Sequence, residues 1–135
     1  MKKRVLSIFL AVCFVFMLLP FGAYAATYTG GTCGTNLKWT LKGTTLTISG
    51  KGAMSNYDWD TPWSEKVESI VNVVIKDGVT SIGNSAFMSC FNLKNITIAD
   101  TVQKIGSSAF QYSDALASIT LPASLKSIGQ NAFYG

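Results

Sequence analysis

Aromatics and carboxylates gather in one stretch of this chain, Tyr57-Asp58-Trp59-Asp60-Thr61-Pro62-Trp63, with Glu65 and Glu68 close behind. Rings beside carboxylates are the materials of a sugar-binding platform, and a carboxylate pair is what glycoside hydrolysis uses. No second acidic cluster elsewhere completes such a pair, so catalysis is not expected. Asp58 and Asp60 also lack the further ligand spacing of a calcium loop. The same residues have a plainer use: Trp59 and Trp63 as lids over an apolar edge, and Asp58, Asp60 and Thr61 as turn and cap residues. The absence of histidine removes His triads, His general bases and His metal sites. No cofactor or metal is expected.

The compartment is legible at the other end of the chain. Lys2, Lys3 and Arg4 precede an apolar run from Val5 to Leu19 interrupted only by Ser7, closed by Pro20 and Ala23-Tyr24-Ala25. That run is short of the ~20 residues of a membrane-spanning helix and ends as a signal peptidase site does, so residues 1–25 are read as a secretory signal cut after Ala25. Contact with a membrane is expected only through this signal during export. The remaining chain carries eight lysines against seven acids, so most of the formal charge of +4 leaves with the signal. Nucleic acid binding therefore lacks an electrostatic basis. Serine and threonine far outnumber the charged side chains after the cut, which implies a hydroxyl-rich surface.

Cys33 and Cys90 would enter a compartment where a disulfide forms, and closing their loop would add ~4 kcal/mol. The alternative is two buried thiols packed as small hydrophobes.

The framework around these residues is repetitive. Val79–Thr101 and Val102–Ser124 align without gaps at a period of ~23 residues, the scale of a repeat architecture. Nine positions are identical, and a third copy starting at Leu125 breaks off at Gly135. Ile70, Val73 and Ile75 occupy the positions of Leu93, Ile96 and Ile98, carrying the register back to residue 70. In each unit Leu-x-x-Ile-x-Ile sets one face of a short strand inward, and stacked units fuse those faces into one core. Strands are expected at Ile96–Ile98 and again at Ile119–Leu121. Ile82, Ala86 and Phe87 are expected to close the back of the coil, with Phe110 as the deepest ring between Phe87 and Phe133. Gly83, Gly106 and Gly129 are expected at turns needing positive φ. The interrupted last unit suggests a chain that continues and whose end frays.

Residues 26–69 read differently. Leu37, Trp39 and Leu41, then Leu46 and Ile48 after Lys42-Gly43, spell a hairpin with one apolar face, and Thr61-Pro62 starts a short helix capped by Thr61. The fold expected is a β-rich solenoid over residues 70–135, with parallel strand ladders and short helical turns, preceded by a hairpin and short-helix cap over residues 26–69.

These residues resemble the bacterial BspA-type leucine-rich repeat surface proteins. The resemblance rests on Val102-x-x-Ile105-Gly106-x-x-Ala109-Phe110 with Leu116-x-x-Ile119-x-Leu121-Pro122, and on the opening from Gly31-Thr32-Cys33-Gly34 to Gly52-Ala53-Met54. It implies a secreted or cell-surface, non-catalytic protein in adhesion or protein interaction, with a host matrix protein, another bacterial surface or a glycan as partner. The alternative is a carbohydrate-binding or targeting module ahead of a larger secreted protein such as an enzyme. Binding residues are sought in Tyr57, Asp58, Trp59, Asp60 and Trp63, and in the outward strand rows Asn72/Asn95/Ser118 and Val74/Thr97/Thr120.

Overall fold

The computed structural model describes residues 29–135. The signal peptide and cleavage site expected from the sequence lie outside them. Alternation makes strands β2 (Leu37–Lys42) and β3 (Thr45–Gly50), which pair antiparallel and bury Leu37, Trp39, Leu41, Leu46 and Ile48 on one face. Between them Gly43 adopts a φ of 59° in open space. Strand β1 (Thr29–Gly34) adds antiparallel to the other edge of β2. β3 then pairs in parallel with β5 (Asn72–Ile75), and β5 with β7 (Asn95–Ile98). The sheet order is β1-β2-β3-β5-β7. Its register stacks Leu46 on Val73 on Ile96, and Ile48 on Ile75 on Ile98. Thus β3 is both the second arm of the hairpin and the first rung of the parallel ladder.

A second parallel sheet lines the adjoining side of the coil: β4 (Gly52–Ala53), β6 (Val79–Ile82), β8 (Lys104–Ile105) and β9 (Ser127–Ile128), in that order. Sequence periodicity places Ile82 and Ile105 inward without revealing that they belong to strands: β8 has two residues, and β6 lacks the Ile-x-Ile alternation that marks β7. The strand expected at Ile119–Leu121 is absent, and Leu121 is exposed. Pro122 accounts for much of this. One unit earlier, Ala99 N–H closes its strand by donating to the Ile75 carbonyl at 3.1 Å, and proline at the equivalent position has no N–H to donate.

The core is threaded by a column of rings. Trp63, Phe87, Phe110 and Phe133 stack with successive centroid distances of 5.5, 5.4 and 5.4 Å. Trp63 occupies the place of the repeat phenylalanine in the first turn of the coil, and its Nε1 donates to the Ala86 carbonyl at 3.0 Å. Phe87 and Phe110 are both buried, at 0% and 2% exposure, while Phe133 is 40% exposed, so the depth expected of Phe110 is shared with Phe87. A 3-10 helix, Ser64–Ser69, follows Trp63 with no side-chain cap. Thr61 contributes only its carbonyl, accepting from Ser64 N–H at 3.0 Å, since the chain first turns inward to seat Trp63.

Gly83, Gly106 and Gly129 do not have positive φ; left-handed geometry falls instead on Ser85, Ser108 and Asn131, and on Ser89 and Tyr112. The glycines are required by close approach. A Cβ at Gly83 would overlap the Ser55 carbonyl oxygen, and one at Gly106 would lie 2.5 Å from the Asn84 nitrogen. Cys33 and Cys90 are free and buried, so the disulfide considered from the sequence is not formed. Cys33 lies in β1, where its carbonyl accepts from the Tyr57 hydroxyl at 3.2 Å, and Cys90 lies in the turn behind Phe87, donating its N–H to the Phe87 carbonyl. Each fills the core as a small apolar group.

Candidate functional site

Folding divides the aromatic and acidic cluster between two jobs. Tyr57 and Trp63 turn inward: their rings meet edge to face at 5.8 Å, and Trp63 meets Trp39 at 5.9 Å. Burial pushes the Tyr57 hydroxyl up to about 12, helped by the neighbouring Cys33 thiol and opposed by a hydrogen bond with Ser55. These two residues are structural. Asp58, Trp59 and Asp60 turn outward, and Trp59, expected as a second lid, is 82% exposed. Trp39, reaching Trp63 from the hairpin, does the covering instead.

The outward residues are not grouped into one acidic site. Asp58 and Trp59 border a depression of about 190 Å³ that is also lined by Ser85, Ser89 and Phe91. Asp60 accepts from the Ser64 hydroxyl at 3.3 Å and borders a different depression with Glu65 and Trp39. Among the described residues no group of three or more acidic or thiol side chains is placed to hold a metal ion.

The strand face gathers most of its expected members. Parallel register sets Thr45, Asn72 and Asn95 in one row and Thr47, Val74 and Thr97 in the next. Asn95 Nδ2 donates to Asn72 Oδ1 at 2.9 Å, so two members of the first row are tied by their amides. Thr45 and Thr47 were not foreseen, because their strand reads as a hairpin arm; the Thr-x-Thr spacing matching Asn95-x-Thr97 was the available signal. Thr120 lies beside Thr97 around a shared depression that also includes Asp100, whereas Ser118 and Thr120 belong to no strand. The Asp77/Asp100 pair, one repeat apart, borders the corner of the sheet next to Thr97.

Side-chain ladders on the turns tie the coils together. Asn56 Oδ1 accepts from Asn84 N–H, and Asn84 Oδ1 from Ser107 N–H, both at 2.9 Å. Thr101 and Ser124 hydroxyls donate to the Val79 and Val102 carbonyls at 2.8 and 2.6 Å. Ser113, which replaces Cys90 in the next unit, donates its buried hydroxyl to the Phe87 carbonyl at 2.8 Å. Every one of these bonds joins one coil to its neighbour, the arrangement expected of a one-dimensional stack.

Residues 65–135 match the family model described as a BspA type leucine rich repeat region of six copies. The chain belongs to this family. Its coil is similar to that of a leucine-rich repeat protein from Eubacterium ventriosum, with a TM-score of 0.71 and 30% identity over 80% of this chain and 36% of that one. It is also similar in fold to the leucine-rich repeat protein of T. pallidum, with a TM-score of 0.54 and 22% identity over 76% of this chain and 56% of that one. This BspA-type chain thus spans about a third and just over half of those two proteins. No curated protein matches it. Within the family frame, Ile82-Gly83, Ala86-Phe87 and Leu93 are the parts that build a coil, and the outward residues of β3, β5 and β7 are not part of its core.

Proposed function

We propose that this chain is a non-catalytic recognition segment of a secreted or surface-displayed bacterial protein, engaging a macromolecular partner in adhesion. The observation that carries this reading is the flat outward face of β3, β5 and β7, where Thr45, Thr47, Asn72, Asn95 and Thr97 present hydroxyl and amide groups in straight rows. A parallel ladder holds these groups at the ~4.8 Å strand spacing, so binding orders little that is not already ordered. The signal sequence supports export, and the lack of histidine together with the separation of Asp58 from Asp60 supports a role without catalysis.

The test is binding of the exported chain to immobilised host extracellular matrix and to bacterial surface extract. Saturable binding to one of them is expected, weakened at least tenfold by Asn95→Lys together with Thr97→Lys, which set charge and bulk on the face without touching the core. Binding unchanged in that double variant, or hydrolysis of matrix glycans lost in Asp58→Asn, would overturn the reading.

A further inference from the structure

We propose that the depression lined by Trp59 and Phe91 binds one neutral hexopyranose ring of a glycan. Trp59 is 82% exposed and Phe91 56%, and neither belongs to the buried ring column. The coil does not need an aromatic at position 91, because the next unit carries an exposed Asp114 there. Nor does it need Trp59, since Trp39 and Trp63 already cover the first turn. Two large rings are thus held in water where packing asks for none, and both line the same depression of about 190 Å³. An apolar depression with a few convergent polar groups is where a small ligand is sought.

The rim selects the ligand. Ser64, Ser85 and Ser89 supply hydroxyls that both donate and accept, and Asp58 supplies a carboxylate that accepts from paired hydroxyls. A pyranose with equatorial substituents has the complementary pattern: apolar C–H faces for the two rings and a belt of hydroxyls for the rim. No lysine or arginine lines the depression, so an acidic sugar would meet Asp58 without compensation. The volume falls below the ~300 Å³ at which drug-sized sites begin, which suits a single ring with the rest of the glycan in solvent. The serines are preset by the fold. Ser85 and Ser89 hold left-handed φ values of 53° and 59°, and their N–H groups donate to the Ser107 and Gln111 carbonyls of the next coil at 2.9 and 2.8 Å. Their backbone is therefore fixed before any ligand arrives. This site lies on the turns, apart from the strand face, so it stands or falls separately from the adhesive reading.

The burial pattern supplies a reporter. Trp39 and Trp63 are 7% and 1% exposed, so the red-shifted, acrylamide-quenched tryptophan emission comes from Trp59. The exported chain is titrated with cellotriose and with tri-N-acetylchitotriose, which separate a glucose from an N-acetylglucosamine ligand, and with trigalacturonate as the acidic control. Saturable blue shift and loss of quenching are expected with at least one neutral trisaccharide, at a Kd of about 0.1–10 mM, typical of small weak ligands. Calorimetry should find binding at least tenfold weaker in Trp59→Ala and in Phe91→Asp, the second variant copying what the next coil already carries. Binding of the matrix partner should be unaffected in both. Failure of both neutral sugars, equal binding of trigalacturonate, or full sugar binding in folded Trp59→Ala would overturn the proposal. Capture of a Pro- or aromatic-rich peptide by this site in place of sugar would overturn it as well.

Discussion

Gly83 shows at the residue scale how one missing methyl group sets the distance between coils. Its backbone passes so close to Ser55 that a Cβ would overlap the carbonyl oxygen, whereas Gly43 has nothing within 4 Å and needs only its left-handed φ of 59°. Two glycines therefore have opposite tolerances. Gly83→Ala should destabilise the protein by ~2 kcal/mol or more, since backbone must move, while Gly43→Asn should cost under ~1 kcal/mol because asparagine tolerates that conformation. Urea denaturation of the two variants checks this; equal losses would mean that coil spacing is not set by the Gly83 contact. The repeated Ile-Gly pair was legible as a motif, but its reason was not. Conformation and close approach leave the same residue in the sequence, and only the position of Ser55 separates them.

At the scale of elements, the ring column reinforces coils that backbone bonds already join, such as Phe87 N–H to the Ala109 carbonyl and Phe110 N–H to the Ala132 carbonyl. Trp63, Phe87 and Phe110 are buried and Phe133 is 40% exposed, so truncation of the phenylalanines should hurt in order of depth. Phe87→Ala and Phe110→Ala are each expected to cost ~3–5 kcal/mol and Phe133→Ala clearly less. Trp63→Phe should keep the stack yet leave the buried Ala86 carbonyl without its partner, at a cost of ~1–3 kcal/mol. Thermal melts of the four variants measure the ranking, and a Phe133→Ala loss matching that of Phe87→Ala would refute it. Phe87, Phe110 and Phe133 could be aligned from the repeat period. Trp63 escaped that alignment because it stands one position further from Phe87 than the repeat step allows, inside a segment with hairpin spacing.

Across the whole molecule, the core titrates as alkali is added. Burial pushes the Cys33 thiol from its ordinary 9.0 to about 11 and the Cys90 thiol to about 12, and Tyr57 rises to about 12. All three groups hold their proton more tightly folded than unfolded. Their contribution is therefore fully present below about pH 9 and is lost progressively as pH rises toward 12, where the unfolded chain has ionised first. For the fully buried Cys90 the slope approaches ~1.4 kcal/mol per pH unit within that window. Chemical denaturation at successive pH values should show stability level up to about pH 9 and falling above it, with a shallower fall in Cys90→Ala. Both thiols should also resist iodoacetamide at neutral pH until the chain unfolds. A flat alkaline profile, or rapid labelling of the native protein, would contradict the burial of these groups.

The coil is legible in the residues alone: the ~23-residue period from Val79 onward, the inward Leu-x-x-Ile-x-Ile pattern and the phenylalanine column are local signals of a stacked repeat. The sequence also determined a weakly charged, hydroxyl-rich chain, and those are properties of composition. What only the tertiary structure decided is which side of each element faces what. Trp63 and Trp59 are near neighbours in the chain and equally apolar, yet one completes the ring column and the other stands in water beside Phe91, which belongs to the next coil. Asp58 and Asp60 are close in sequence and border different depressions. Cys33 and Cys90 looked available for pairing and remain separate buried thiols. Each outcome depends on contacts between residues far apart in the chain, and these follow from the stacking of whole coils, which no local spacing records.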